Sequence, residues 1–193
     1  MKWIVVTIII GLTAYTYLTL HYRKTEPAFR PYVDIKDRAN TRRLLSAGFQ
    51  RIALTAQRPA DPSSFVSLAP IANAAGGLPE ELRTTLVDQP LLPAEIVRVA
   101  AANMTDATAA YSVQFSCTLA DNHRQFLSAE LYVKDNTIFI VPEFGVIAEK
   151  ELLARTREST VVVTVPGGAL KPGRHDVTLL GERGSKTWSV LVR

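Results

Sequence analysis

The side chains of this chain that could perform chemistry are few and widely spaced. The sequence contains three histidines, His21, His123 and His175, and a single cysteine, Cys117. None of the histidines has a second potential ligand at a spacing that would bring both onto one metal ion. The cysteine lies in an apolar run typical of a buried strand. The sequence therefore predicts no metal site and no cofactor, and it favours a buried thiol over a nucleophile.

Gly181–Thr187, GERGSKT, is the stretch most similar to a phosphate-binding loop. It lacks the spacing G-x4-G-K-[ST], and it joins two predicted strands instead of opening a helix. We interpret it as a hairpin loop. The acidic pairs Glu80/Glu81 and Glu149/Glu151 fall in polar helical stretches and indicate solvated faces, not a general acid and base. We predict no catalytic residue and expect a protein that is not an enzyme.

The net charge of +4 is concentrated near the amino terminus. Residues 21–43 contain seven basic residues against three acidic ones, which accounts for the whole excess. A basic stretch beside an apolar helix favours lipid phosphates over nucleic acid as a partner. We therefore predict the lipid bilayer, and no nucleic acid, as a partner of this stretch.

The first 22 residues predict a transmembrane anchor. Trp3–Leu20 contains no charged residue, and as a helix it extends for about 27 Å, close to the thickness of a bilayer core. A cleaved signal peptide would have a shorter apolar run and a small-residue cleavage site. Aromatic and basic residues near the ends of the helix are expected at the membrane interface, namely Trp3, Tyr22, Arg23, Lys24 and Arg30.

The predicted anchor suggests a partner and an orientation. Thr7, Gly11, Tyr15 and Thr19 recur every four residues, so they share a helix face that could contact a helix of a membrane-protein partner. The positive-inside rule places the following domain in the cytoplasm. An N-terminal anchor that carries a β-rich domain is, however, a common architecture of exported domains. We expect a single-pass membrane protein with its domain on the extracytoplasmic, periplasmic side.

Residues 23–48 predict a basic juxtamembrane stalk followed by a short helix. Asp34 could cap this helix, and Gly48 could end it. Its apolar side would comprise Ile35, Ala39, Leu44 and Leu45. The helix could lie at the membrane surface with its arginines facing lipid headgroups. Alternatively, it could be a solvated helix that packs on the domain. Ile52, Leu54 and Ala56 then alternate with other residues, which predicts a half-buried strand. Residues 60–93 are expected to form an Ala/Ser/Pro/Gly-rich loop and a short helix that starts after Pro79.

From Ala94 onward the sequence consists of seven strand-like runs separated by turn signals. Lys134–Asn136 is a hairpin-turn candidate, and Gly145–Arg155 could be a helical crossover. Strands spaced by about ten residues are typical of an antiparallel β-sandwich. The predicted fold class is mainly β: an N-terminal transmembrane helix, then an immunoglobulin-like antiparallel β-sandwich over residues 49–193 with short helical decorations.

Two stretches carry a resemblance to known proteins. VTVPGGALKPGRHDVTLLGERGSKTWSVLVR resembles the last strands of immunoglobulin-like domains. AAANMTDATAAYSVQF resembles the first strands of the immunoglobulin-like tails of accessory proteins of bacterial cytochrome oxidases, of the nitrogen-fixation-operon type. The resemblance covers about 100 residues. It implies an accessory, assembly or scaffold protein, with a respiratory complex as partner. The iron–sulfur cysteines of some such proteins are absent, so no redox role is carried over.

Two other functions stay open from the sequence. The first is a membrane-tethered enzyme that uses the Ala/Ser/Pro/Gly-rich loop as part of a site. The second is a ligand-binding domain with an exposed aromatic platform around Tyr111, Tyr132 or Phe144. The sequence identifies no small-molecule ligand.

Overall fold

The computed structural model describes residues 2–22, 35–59, 68–147 and 156–193. It comprises two compact units, Met1–Asp34 and Ile35–Arg193. The first unit contains helix α1 (Lys2–Tyr22). The second contains helices α2 (Ile35–Ser46) and α3 (Glu80–Thr85) and eleven β-strands. The protein is mainly β.

Helix α1 forms where the apolar run predicts a helix, but its predicted role as an anchor is wrong. Four threonines and two tyrosines lie within Trp3–Leu20, so the run carries more polar groups than its lack of charge suggested. Thr16 Oγ1 and Thr19 Oγ1 each donate to a carbonyl one turn back, at 2.8 Å. Across the described residues, none of the helices has both the length and the apolar character that a membrane span requires. The predicted transmembrane segment over 1–22, and with it the single-pass localisation with a periplasmic domain, are therefore corrected.

Helix α2 packs on the rest of the second unit. This was one of the two predicted alternatives. Leu44 is 1% exposed, and Asn40 Oδ1 accepts a hydrogen bond from the backbone N–H of Val87 at 2.5 Å. Gly48 has φ +82°, the left-handed conformation expected just after a helix end. Leu45 was assigned to the apolar side, but it is 65% exposed. The predicted cap, Asp34, lies outside the described residues.

The strands that the structure describes are between two and eleven residues long. Their bounds are β1 (Gln50–Ala53), β2 (Thr55–Gln57), β3 (Ala72–Ala75), β4 (Glu95–Ala101), β5 (Met104–Thr105), β6 (Tyr111–Thr118), β7 (Arg124–Lys134), β8 (Thr137–Val146), β9 (Glu158–Val165), β10 (Gly173–Leu179) and β11 (Gly184–Val192).

All eleven strands belong to one sheet that nearly closes on itself. The order is β1-β7-β8-β10-β11-β4-β6-β9-β2, and β3 and β5 also pair with β11. Only Leu54 separates β1 from β2, so one stretch of chain pairs with β7 at one edge and with β9 at the other. The pairs β8–β10, β11–β4 and β11–β5 are parallel. Strand β11 meets β4 through a single residue pair, Gly184 and Glu95.

This topology contradicts the predicted immunoglobulin-like antiparallel β-sandwich. Alternating apolar residues identify the strands, but they do not specify which strands become neighbours. The parallel pairs and the pairing of β1 and β2 with opposite edges depend on contacts between segments far apart in the sequence, which no local pattern encodes.

The sheet encloses a large apolar cluster, here called the inner cluster. Alternate side chains of β6 and β9 point into it, and Val113, Phe115 and Val163 among them are 0% exposed. Trp188 is buried in this cluster, and its indole N–H donates to the hydroxyl of Tyr111 at 2.9 Å. The buried indole therefore has a hydrogen-bond partner for its N–H group.

A second apolar cluster, the outer cluster, lies between the sheet and the two short helices. Its members come from α2, α3, the connections and the outward faces of β7 and β8: Leu44, Phe49, Leu82, Leu86, Leu92, Tyr132, Val141 and Leu180. The eight residues are all buried. The sheet is therefore covered by apolar contacts on both faces in this region.

Several local predictions can be compared with the structure. The turn Asp135–Asn136 joins β7 to β8, with Asp135 at φ +52°, and α3 starts after Pro79, both as predicted. The predicted loop over 60–93 is wrong at Ala72–Ala75, which forms β3. The proposed helical crossover is wrong at its start, because β8 continues to Val146. Residues 60–67 and 148–155 lie outside the described residues.

Candidate functional site

A cleft of about 540 Å³ opens on the outside of the second unit. We call it the lateral cleft. Its volume lies within the range of about 300–1,000 Å³ that is usual for ligand pockets. Its lining comes from the β3–α3 connection, α3, the segment before β4, the start of β7 and the β10–β11 turn: Gly76, Gly77, Leu78, Glu80, Arg83, Gln89, Pro90, Leu91, Leu92, Arg124 and Glu182.

Two consecutive glycines shape one wall of the lateral cleft. A Cβ on Gly76 would lie 2.3 Å from the carbonyl carbon of Arg183, so no larger residue fits there without a backbone shift. Gly77 has φ +90°, and its N–H donates to the carbonyl of Gly181 at 2.8 Å. This wall is therefore fixed against the β10–β11 turn by backbone contacts.

Backbone hydrogen bonds also fix the segment that precedes β4. The N–H of Glu182 donates to the carbonyl of Pro93 at 2.8 Å, and the N–H of Phe144 donates to the carbonyl of Leu91 at 2.9 Å. The bond from Phe144 lies at the part of β8 that extends beyond its pairing with β10. The side chain of Leu91 is 41% exposed, so a rigid backbone holds an accessible apolar group in the lateral cleft.

The lateral cleft carries charges of both signs. Arg83 forms an ion pair with Glu80 one turn earlier on α3. Arg124 lies 3.6 Å from the carboxylate of Asp121 and donates to the carbonyl of Leu92 at 3.4 Å. Its side chain is 20% exposed. The arrangement offers fixed donors and acceptors to a ligand.

An ionic cluster on the outer face of the sheet joins α2 to β1 and β7. The Arg51 guanidinium donates to the carboxylates of Asp37 and Glu130, and the Tyr132 hydroxyl also donates to Glu130. Ser128 donates to Glu143 on the neighbouring strand at 3.0 Å.

The electrostatics of the ionic cluster favour a structural role. The hydrogen bond to Glu130 raises the pKa of the Arg51 guanidinium further above its usual value. Burial, with the Glu130 hydrogen bond adding to it, raises the pKa of the Tyr132 hydroxyl. Both groups stay protonated near neutral pH, so neither serves as a general base there. The cluster attaches the helix to the sheet.

The aromatic platform expected of a ligand-binding domain is absent from its predicted positions. Tyr111 and Tyr132 are each 4% exposed, and Phe144 is 1% exposed. Their rings belong to the inner and outer clusters and cannot stack on a ligand. The prediction of an exposed platform at these three residues is wrong.

The remaining candidate groups occupy unrelated places. Cys117 is fully buried, and burial raises the pKa of its thiol to about 12, which keeps it protonated at neutral pH. His175 is buried on β10, where Nε2 lies 2.8 Å from the carbonyl of Lys171, while Asp176 is exposed on the opposite face. His123 lies in a turn, and His21 stacks on Tyr17. Within the described ranges, no group of three or more His, Cys, Asp or Glu side chains could hold a metal ion.

The predicted partner-helix face remains a prediction. Thr7, Gly11, Tyr15 and Thr19 all belong to α1, where a four-residue spacing places them along one side. A Cβ at Gly11 would meet no neighbouring atom, and Tyr15 is 70% exposed. Three of the residues assigned to the membrane interface, Arg23, Lys24 and Arg30, lie outside the described residues. Trp3 and Tyr22 lie at the two ends of α1.

Sequence reasoning missed most of the lateral cleft. Glu80 was interpreted as part of a solvated face, and its partner Arg83 was not singled out, although their spacing on a helix indicates an ion pair. The Gly76–Gly77 pair was assigned to an unstructured loop. No local signal places Arg124 and Glu182 in the lining of one cleft, because this depends on how β7 and the β10–β11 turn are arranged in the sheet.

Comparisons with known proteins identify no relative. No family model matches the chain, and neither the curated proteins nor the solved structures contain a match. The resemblance to oxidase accessory proteins therefore stays a prediction.

Proposed function

We propose that Ile35–Arg193 is a non-enzymatic binding domain of an accessory or scaffold protein, in which the lateral cleft holds an extended segment of a protein partner. The structure of the lateral cleft is the observation that supports this proposal. Its walls are backbone segments fixed by hydrogen bonds, and it combines an accessible leucine with side chains of both charges. A preorganised surface of this kind lowers the entropic cost of holding a flexible peptide.

The charges define what the peptide should contain. Glu182 is an exposed carboxylate and offers a site for a lysine or arginine of the partner. Arg124 also lines the cleft, and its guanidinium suits a carboxylate or a backbone carbonyl. Leu91, exposed beside them, suits an apolar side chain. The expected segment therefore has an apolar residue between charged residues of opposite sign.

The class of partner follows from the resemblance alone. The accessory proteins that the chain resembles assist bacterial cytochrome oxidases, so a subunit of a respiratory complex is the partner class that we propose to test first. Purification of the tagged full chain from its own cells provides this test. If respiratory subunits are absent from the purified material, this partner class is abandoned while the cleft proposal stands.

A photo-crosslinking residue at Gln89 would test the cleft directly in the full chain. Gln89 is exposed and lines the cleft, whereas Asp106 is exposed near the C-terminal end of β11, beside Arg193. We expect a discrete crosslinked product from position 89 and none of the same size from position 106. Adding Glu182→Lys should remove the product, and Glu158→Lys, the same charge change outside the lateral cleft, should retain it.

Two results would contradict the proposal. One is the same set of products from positions 89 and 106, which would show contact without a specific site. The other is a product at position 89 that persists at full yield in Glu182→Lys, which would show that the charged rim makes no contribution.

A further inference from the structure

A second pocket, the mouth pocket, lies where the sheet opens at one end. It forms where β2, β6 and β8 end and where β7 and β9 begin, and its volume is about 340 Å³. The polar residues that line it include Arg58, Arg124, Thr156, Ser159 and Thr160. None of these positions entered the proposed function except Arg124, which lies between the two cavities and lines both.

Arg124 is held in a fixed orientation at the mouth pocket. Its guanidinium donates to the carbonyl of Leu92 and lies 3.6 Å from Asp121, whose carboxylate also accepts the N–H of His123 at 2.9 Å. These contacts do not occupy all five N–H donors of the guanidinium. A partly buried arginine with a fixed orientation and donors to spare is a suitable group for an anion, since little side-chain entropy is lost on binding.

A hydroxyl group of β9 adds to the donor set. Ser159 and Thr160 are half-buried at the start of β9. Because successive side chains of a strand point to opposite faces, no more than one of these two hydroxyls faces the pocket. The Thr156 hydroxyl donates to the carbonyl of Glu158 at 3.2 Å and is not counted as a donor to a ligand. Arg58, directly after β2, also lines the pocket, and two guanidinium groups with a hydroxyl provide more donors than the two oxygens of a carboxylate can accept.

We propose that the mouth pocket binds a small organic phosphate, with Arg58 and Arg124 on the phosphate oxygens and one β9 hydroxyl as a further donor. Phosphate geometry matches a guanidinium fork, and a phosphate presents enough acceptor oxygens for both arginines and the hydroxyl. The volume of about 340 Å³ exceeds the need of a lone phosphate ion, so the pocket has room for the organic group of a phosphate ester.

The carboxylates near the pocket limit the strength of this binding. Glu158 also lines the pocket, but it is exposed to solvent, where its repulsion is screened by salt. Asp121 neutralises part of the Arg124 charge. We therefore expect an affinity that falls as ionic strength rises, and a preference for ligands whose organic group stays away from Glu158.

Calorimetric titration of the full chain with glycerol phosphate, inorganic phosphate and acetate would test the proposal. We expect binding of both phosphates and at least about tenfold weaker binding of acetate, a difference of about 1.4 kcal/mol. Arg58→Gln should weaken phosphate binding by about tenfold or more. Arg157→Gln removes the same charge from an exposed neighbour that does not line the pocket, and it should leave binding unchanged.

Three results would overturn the proposal: no heat with either phosphate at low salt, equal affinity for acetate and phosphate, or equal loss of binding in Arg58→Gln and Arg157→Gln. The last result would show a general charge effect without a site. Because Arg58 is exposed, its substitution should leave thermal stability intact, and a melting curve confirms this. The test is independent of the lateral cleft, since Arg58 does not line it.

Discussion

The inner and outer clusters are both buried, but they are assembled in different ways. The inner cluster is built from alternate residues of successive strands, as in Tyr111–Thr118, where every second side chain is buried. The outer cluster collects one or two residues each from helices, turns and the outward faces of strands. The first depends on a period of two within each strand, and the second depends on tertiary contacts between short segments. The two should therefore differ in how they respond to substitution.

The largest expected effect is at the centre of the inner cluster. Phe115 is 0% exposed, and Phe115→Ala should lower the free energy of unfolding by about 3–5 kcal/mol, through lost burial and a cavity that strands on either side cannot fill. Urea denaturation measures this loss. A loss below about 1 kcal/mol would show that the inner cluster is loosely packed and would remove the contrast between the clusters.

A smaller loss is expected from the outer cluster. Leu44→Ala should cost about 2–3 kcal/mol, toward the low end for a buried leucine, because α2 lies at the edge of the domain and can shift to fill the space. Leu45→Ala is the matched control, since Leu45 is the next residue and is 65% exposed; it should change stability by less than about 0.5 kcal/mol. Equal losses from both variants would mean that α2 does not pack as described.

High pH should destabilise the inner cluster through its buried acids. Burial raises the pKa of the Cys117 thiol from 9.0 to about 12 and, as the main cause, that of the Tyr111 hydroxyl from 10.0 to about 12. The folded state keeps these protons at a pH where the unfolded chain releases them. Stability is therefore unaffected below pH 9 and decreases between pH 9 and 12, by about 1.4 kcal/mol per pH unit for one such group.

The contribution of the thiol can be isolated by comparing two variants. Cys117→Ala should flatten the alkaline part of the stability profile measured by urea denaturation at several pH values. Ser116→Ala, at the adjacent outward-facing position, should retain the wild-type slope. If both variants show the wild-type slope, the thiol is accessible to water in the folded state.

The smallest effect is expected at the ionic cluster that attaches α2. Glu130→Gln removes one carboxylate from Arg51 but leaves Asp37 in place, and the side chain of Arg51 is 29% exposed. Solvent screening limits the loss to about 1 kcal/mol. The loss should shrink in 1 M NaCl, which chemical denaturation with urea can measure. A loss above about 3 kcal/mol would show that the charges are buried more deeply than the structure indicates.

The contrast between the clusters also explains what could be predicted from the sequence. The runs from Glu95 to Val192 were identified as strands because their alternation is local, and the turn at Asp135–Asn136 was identified from residue types that favour it. The burial of Cys117 followed from the same alternation. Strand partners, the break between β1 and β2 at Leu54 and strand β3 were not predicted, since they are fixed by pairing with segments far away in the chain.

The lateral cleft was beyond prediction for the same reason. Its residues come from five separate segments, and no two of them except neighbours such as Glu80 and Arg83 have a spacing that indicates contact. The mouth pocket is similar, because Arg58 and Arg124 line one pocket only after β2 and β7 take their places in the sheet. Local pattern predicts individual elements, whereas a binding site formed by many elements requires the topology.

The pairing of β1 and β2 with opposite edges of the sheet has a consequence for folding during translation. Strands β1 and β2 leave the ribosome early, but their partners, β7 and β9, begin at Arg124 and Glu158. During translation these two strands therefore remain unpaired while most of the domain is synthesised. Loop closure over such separations is slow, and unpaired strand edges promote aggregation. The nascent chain is therefore expected to depend on protection until its last strands emerge.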